Sequence, residues 1–199
     1  ILKASYFAAE KHKNQKRKGD GSPYINHPLG VANNIMVIGG VEEEEILVSA
    51  VLHDTVEDTD TTLDEVERLF GKKIRDIVGE VSDAKDLSKV ERKRGQVAHA
   101  GSISREAKHV KLGDKLYNLK DLQRLPPPWW DRERIQGYFV WAHFVIAEMR
   151  GTNEGLEKAL DEVFKGTITT DEGTFPCLPE GDLKQHLAKY YEAMSKIDD

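Results

Sequence analysis

Apolar positions recur at three- and four-residue spacing along nearly the whole chain, the period of a helix with one buried face. Leu2, Tyr6, Phe7 and Ala9 predict an opening helix that ends in the polar stretch 16–22. Leu29, Val31, Ala32, Ile35 and Met36 form the stripe of a second helix, with Pro28 at its first position, His27 at its cap and Gly39-Gly40 as its stop. Residues 41–52 begin acidic, which suits a helix N-terminus, and then turn apolar. Thr62 with Glu65, and Ser88 with Glu91, have the spacing of capping boxes. Gly71 divides a helix carrying Val66, Leu69 and Phe70 from another over 74–81. Val110, Leu112, Leu116 and Leu119 place a helix over 104–122, which Pro126-Pro127-Pro128 closes off. Asp131 caps the next, through Tyr138, Trp141, Val145 and Met149. Two more helices, 156–164 and 183–194, flank a polar stretch, 166–181, that reads as a surface loop. No period-two alternation is long enough for a sheet, so the predicted class is all-α, a single compact multi-helix domain.

Composition narrows the function. The 199 residues suit one domain with a sizeable core. A net charge of −6 argues against a general nucleic-acid binder. Locally, however, Lys11, Lys13, Lys16, Arg17 and Lys18 form a basic run that leads to His27, a setting for a small phosphorylated ligand. The longest apolar runs are far too short to span a bilayer, so no membrane partner is expected. No charged-then-apolar signal segment is visible, although the chain opens at Ile1 rather than Met. The single cysteine, Cys177, allows no internal disulfide and fits a reducing, cytoplasmic setting.

The chemistry gathers in His53-Asp54-Thr55-Val56-Glu57-Asp58-Thr59. An adjacent His-Asp pair offers one nitrogen and one carboxylate oxygen to the same divalent cation. If the helix continues through them, Glu57 and Asp58 return to the same side. Asp54 follows the apolar Val48, Ala50, Val51 and Leu52, where a carboxylate needs a cation or another partner. Asp114 likewise sits within an apolar stripe, and His27 stands at a helix start. Two His and two Asp make a mixed nitrogen and oxygen set suited to Mn, Fe, Mg or Zn, and spacing alone does not choose among them. His143 and His186, each isolated, read as packing residues.

Three stretches carry a resemblance: 17–28 (Arg-Lys-Gly-Asp-Gly-Ser-Pro-Tyr-Ile-Asn-His-Pro), 53–59, and 111–119 (Lys-Leu-Gly-Asp-Lys-Leu-Tyr-Asn-Leu). In order and spacing they closely resemble the hydrolase domain of RelA/SpoT homologues, within the HD-domain metal hydrolase superfamily. Tyr117, where the long bacterial enzymes usually carry His, points to the small animal-type form. The likeness covers about residues 1–165, and the tail 166–199 is read as a loop and helix extension.

The resemblance implies an all-α HD fold with one Mn2+ per chain. It implies removal of the 3′-pyrophosphate of guanosine tetraphosphate (ppGpp) or pentaphosphate, giving GDP or GTP and pyrophosphate. Animal members are also associated with removing the 2′-phosphate of NADPH, and a non-catalytic nucleotide sensor is a third reading. By position the metal ligands would be His27, His53, Asp54 and Asp114, with Glu57 and Asp58 orienting and deprotonating water. Arg17, Lys18, Tyr24 and Asn118 fall on motif positions that line the nucleotide pocket. Gly113 stands where alanine is common, a change worth about 1 kcal/mol of helix propensity.

Outside the motifs, Lys89, Arg134 and Tyr138 are nominated for the pocket. Arg134 and Tyr138 are four apart and share a helix face, although core packing would place Tyr138 and Trp141 equally well. Trp129-Trp130 after the prolines either covers the pocket mouth or simply packs.

Overall fold

The computed structural model describes residues 1–197. Its elements are α1 (Leu2–Lys11), α2 (Asn26–Val37), α3 (Glu44–Leu52), α4 (Thr55–Asp58), α5 (Leu63–Phe70), α6 (Lys72–Val81), α7 (Lys89–His99), α8 (Arg105–Arg124), α9 (Arg132–Ala147), α10 (Glu154–Phe164), β1 (Thr167–Thr170), β2 (Gly173–Pro176) and α11 (Leu183–Ser195). The helices begin where side-chain acceptors meet unpaired backbone N–H groups. Thr62 accepts from Glu65 N–H, Ser104 from Ala107 N–H and Asp131 from Arg134 N–H. Ser88 and Glu91 close a full reciprocal box. At Thr62 only the first half of the predicted box is made.

The long helix α8 runs through the middle, with Val110, Leu112, Leu116 and Leu119 fully buried. It packs against α2, α3, α6, α9 and α10. The closest approach is to α2, and two glycines permit it. A Cβ on Gly113 would stand 2.5 Å from Ile35 Cγ1, and one on Gly30 would overlap the ring of Tyr117. Gly113 thus does more than loosen α8, because the bare backbone admits Ile35. This seam sets His27 on α2 beside Asp114 on α8.

Helix α3 is buried from Ile46 to Leu52 without a break. An apolar surface on every side marks a helix enclosed by its neighbours, here α1, α2, α6 and α8. A second, smaller core of Ala4, Ala8, Val48, Val51, Leu52, Val66, Ile74 and Val78 fills the space beneath α1, α5 and α6.

Several expectations are corrected. The stretch 166–181 holds an antiparallel hairpin in which Ile168 pairs with Phe175, both buried. Each strand has four residues and a single inward apolar side chain, too little alternation to register. The second helix begins at Asn26, so His27 lies inside its first turn rather than at the cap. Pro28 is third in that helix, still within the first turn, where its missing N–H breaks no intrahelical bond. Leu29 and Met36 are 39% and 45% exposed, so Val31 and Ile35 carry that stripe. No helix is long and apolar enough to cross a membrane, among the described residues.

Candidate metal centre and nucleotide cleft

The condition that would bring Glu57 and Asp58 back to the side of His53 and Asp54, one helix continuing through 53–58, is not met. The helix stops at Leu52, turns through His53 and Asp54, and resumes as the single turn α4. The break is stabilised by the side chains it exposes. A helix end leaves carbonyls without partners; His53 Nδ1 meets the Ala50 carbonyl at 2.8 Å and Thr55 Oγ1 donates to Leu52 O at 2.7 Å. A carbonyl only accepts, so Nδ1 carries the hydrogen and Nε2 is turned towards the site.

There His53 Nε2 lies 3.3 Å from His27 Nε2. The Asp54 Oδ2 atom is 3.1 Å from His53 Nε2 and 3.3 Å from His27 Nε2. Asp114 Oδ1 is 3.2 Å from His27 Nε2 and 3.7 Å from His53 Nε2. His27, His53 and Asp114 each bring one ligand atom within 4.8 Å of the others, the geometry of a divalent cation site. Asp54 faces both imidazoles, and its Oδ2 also accepts from the Tyr24 hydroxyl at 2.5 Å.

The electrostatics fit a cation. Burial opposes protonation of His53, yet the Asp54 and Asp114 carboxylates outweigh it and hold its pKa well above the usual histidine range. Burial would raise the Asp54 pKa, but His53 and His27 hold it well below the carboxylate range. Asp114 is also held low against burial, by Lys115 first and then by the two imidazoles. Two buried carboxylates around facing imidazoles call for positive charge at their centre, which a divalent ion supplies. The nitrogen and oxygen donors suit a borderline or hard ion.

Second contacts fix the carboxylates. Asn118 Nδ2 donates to Asp114 Oδ1 at 2.7 Å and Lys115 Nζ to Oδ2 at 2.9 Å. Arg17 Nη2 donates to Asn118 Oδ1 and Asp121 Oδ2. Its guanidinium lies over the rings of Tyr24 and Tyr117. Glu57 Oε1 accepts from Asp83 N–H at 2.6 Å. Its pKa is pushed up to about 7 by burial, with the charges of Asp83 and Asp54 adding. Asp58 is more exposed and accepts from Gln15 Nε2.

A cleft of about 450 Å³ adjoins these residues, and every nominated substrate residue lines it: Arg17, Lys18, Tyr24, Lys89, Asn118, Arg134 and Tyr138. Seven lysines and arginines face three aspartates there, in a chain that is acidic overall. Burial lowers the Lys89 pKa, and the charges of Lys18, Arg134 and Arg92 push it down further. Crowded cations of this kind are relieved by an anion. Arg17, Arg92 and Arg134 each keep a buried Nε without a partner.

Comparison with known proteins places the chain in a family. A family model described as HD domain matches residues 4–152. The chain belongs to the HD domain family. The guanosine-3′,5′-bis(diphosphate) 3′-pyrophosphohydrolase MESH1 of Xenopus tropicalis is similar at 54% identity over 165 residues, 82% of this chain and 92% of that protein. The human protein of the same name is 54% identical over 166 residues, covering 83% and 93%. A solved structure described as a metazoan ortholog of SpoT that hydrolyzes ppGpp superposes with a TM-score of 0.80 and 46% identity, covering 82% of this chain and 92% of that one.

Within this HD domain, the three sequence stretches converge on one site. Trp130 lines the cleft while Trp129 is 60% exposed, so only one of the pair reaches it. His143 lies edge-on to Phe144 and Phe164, as a packing residue should. Sequence reasoning missed Lys115, Lys93, Asp83 and Trp141. A signal existed for the first: Lys111 and Lys115 are four apart within the same apolar stripe as Asp114, and both are buried. Glu57 does not line the cleft, whereas Asp58 does.

Proposed function

We propose that this protein is a ppGpp 3′-pyrophosphohydrolase that uses one Mn2+ held by His27, His53, Asp54 and Asp114. The observation that carries this reading is the convergence of those four side chains beside a cation-lined cleft. The similarity to MESH1 proteins supports the substrate. When bound, the metal supplies Lewis acidity toward water and phosphoryl oxygen. Arg17, Lys18, Lys89 and Arg134 neutralise the diphosphate groups, with the guanidiniums suited to paired hydrogen bonds on phosphate oxygens. Tyr24 and Asn118 hold Asp54 and Asp114 in place. Glu57 and Asp58 orient the attacking water and take its proton. The water oxygen bonds to the phosphorus attached to O3′, the O3′–P bond breaks, and O3′ leaves protonated as GDP with pyrophosphate released.

Incubating the protein with Mn2+ and ppGpp should release pyrophosphate and GDP. Orthophosphate from NADPH with no product from ppGpp would replace this reading by the 2′-phosphatase one. Binding of ppGpp without cleavage would make the protein a sensor.

The pH dependence follows from Glu57. A base must be ionised to accept a proton, and its pKa lies at about 7. The rate should therefore rise about tenfold per pH unit on the acid side and level off above a midpoint at or below about 7, because a bound cation favours the ionised form. Glu57→Gln should lose both most of the rate and this limb. A wild-type profile flat from pH 5 to 8 would remove Glu57 from the role.

A further inference from the structure

The cleft has a wall that the family match does not include. The HD model ends at residue 152, yet Tyr190 and Met194 of α11 line the cleft. Helix α11 packs on α9 and α7. The ring of Tyr190 is seated on the bare backbone of Gly137, where a Cβ would overlap it. Across from it, the Lys93 Nζ atom lies 3.5 Å from the centroid of Trp141, 4.6 Å from Tyr138 and 5.3 Å from Tyr190. Trp141 grips the same residue twice, since its indole N–H also donates to the Lys93 carbonyl at 3.0 Å. Next along α7, Arg94 lies over Tyr191, a second clasp between the two helices. On the other side, Trp141 lies 4.7 Å from Lys115 Nζ, the ammonium paired with Asp114. The cage therefore abuts the metal centre.

We propose that α11 completes the nucleotide cleft, with Tyr190 closing an aromatic cage that presents the Lys93 ammonium to a phosphate group of the substrate. Among the described residues, Lys93 forms no ion pair, although it is half-buried at the cleft with Lys115, Arg134 and Arg92 nearby and Asp83 as a counter-charge. A lysine serving only to pack against three rings could be replaced by an uncharged side chain at a cost in stability but none in substrate affinity. An ammonium held on π faces has no oxyanion of its own, and a phosphate oxygen can take up an N–H donor from it. Tyr190 is 3% exposed, so it acts as a positioning residue rather than as a platform for the base.

This inference deepens the proposed hydrolase reading and rests on it for the identity of the substrate. Lys93→Met preserves length and apolar contact while removing the charge. It should raise the KM for ppGpp about tenfold or more, with a smaller fall in kcat, and Lys93→Arg should recover part of the loss. Tyr190→Ala should raise KM in the same direction, and Tyr190→Phe should not. Gly137→Ala, which leaves Tyr190 in the chain but unseats it, should behave like Tyr190→Ala and add nothing to it in the double variant.

An unchanged KM in Lys93→Met overturns the cage. Additive effects of Lys93→Met and Tyr190→Ala overturn the link to α11. Calorimetric titration with inorganic pyrophosphate separates the two levels. If the wild type does not cleave ppGpp, the hydrolase reading fails. The cage is then still supported by weaker pyrophosphate binding in Lys93→Met, and overturned by equal binding.

Discussion

Asp114→Asn is expected to remove bound metal and turnover together while leaving the protein folded. The amide keeps an oxygen for the Lys115 ammonium, now 2.9 Å from Asp114 Oδ2, but loses the charge that faces the cation. A rate loss of about a thousandfold corresponds to about 4 kcal/mol of barrier. Asp114→Ala should cost stability as well. Lys115 is 4% exposed at its side chain and has Asp114 as its carboxylate partner. Removing one member of a buried pair leaves the other uncompensated, which costs about 3–5 kcal/mol. Elemental analysis, pyrophosphate release and denaturant unfolding of the two variants separate the effects. An Asp114→Asn protein with full metal content and normal turnover would show that the ion is held elsewhere.

Gly30→Ala should act on fold and chemistry at once. Its new methyl would overlap the Tyr117 ring. That ring cannot swing away freely, because it meets His27 edge-on at a centroid distance of 5.0 Å and lies beneath the Arg17 guanidinium. Overpacking of this kind costs about 1–3 kcal/mol, against a helix-propensity gain of about 1 kcal/mol for replacing glycine. The methyl must displace either α2, which carries His27, or the ring packed against His27. Turnover should therefore fall by more than the loss of stability explains. The double variant with Tyr117→Ala removes the obstacle and should show a smaller penalty than the two single changes summed. Urea unfolding and steady-state rates on the four proteins test this, and a Gly30→Ala enzyme with wild-type kinetics would exclude such coupling.

Much of the fold was legible in the sequence because its helices are signalled locally. Thr62, Ser88 and Asp131 are short polar side chains placed immediately before helical periodicity, and each caps as read. The candidate metal cluster was suggested by acids embedded in apolar stripes, at Asp54 and Asp114, together with motifs at recognisable spacing. The features that escaped depend on long-range contact. The hairpin at 167–176 has one inward side chain per strand and depends on α8 to bury it. The break at His53 left the continuation of the helix open in the sequence, because the bonds that stabilise it come from His53 and Thr55 side chains turned back onto the helix end. Lys93 carries no mark in the sequence, because only tertiary packing surrounds it with aromatic rings. The role of Gly113 was invisible for the same reason, since Ile35 lies 78 positions away in the chain.

The enclosure of α3 bears on how the centre breathes. The turn that leaves α3 carries His53 and Asp54 directly after a helix surrounded by packed neighbours rather than solvent, so the amides of α3 should exchange with deuterium at the pace of global unfolding. The proposed ligand pair, tethered to so slow a segment, does not loosen through local fraying. At the proposed centre, ion entry and departure are then expected from the open side, by stepwise substitution of donors, with the backbone beneath standing still.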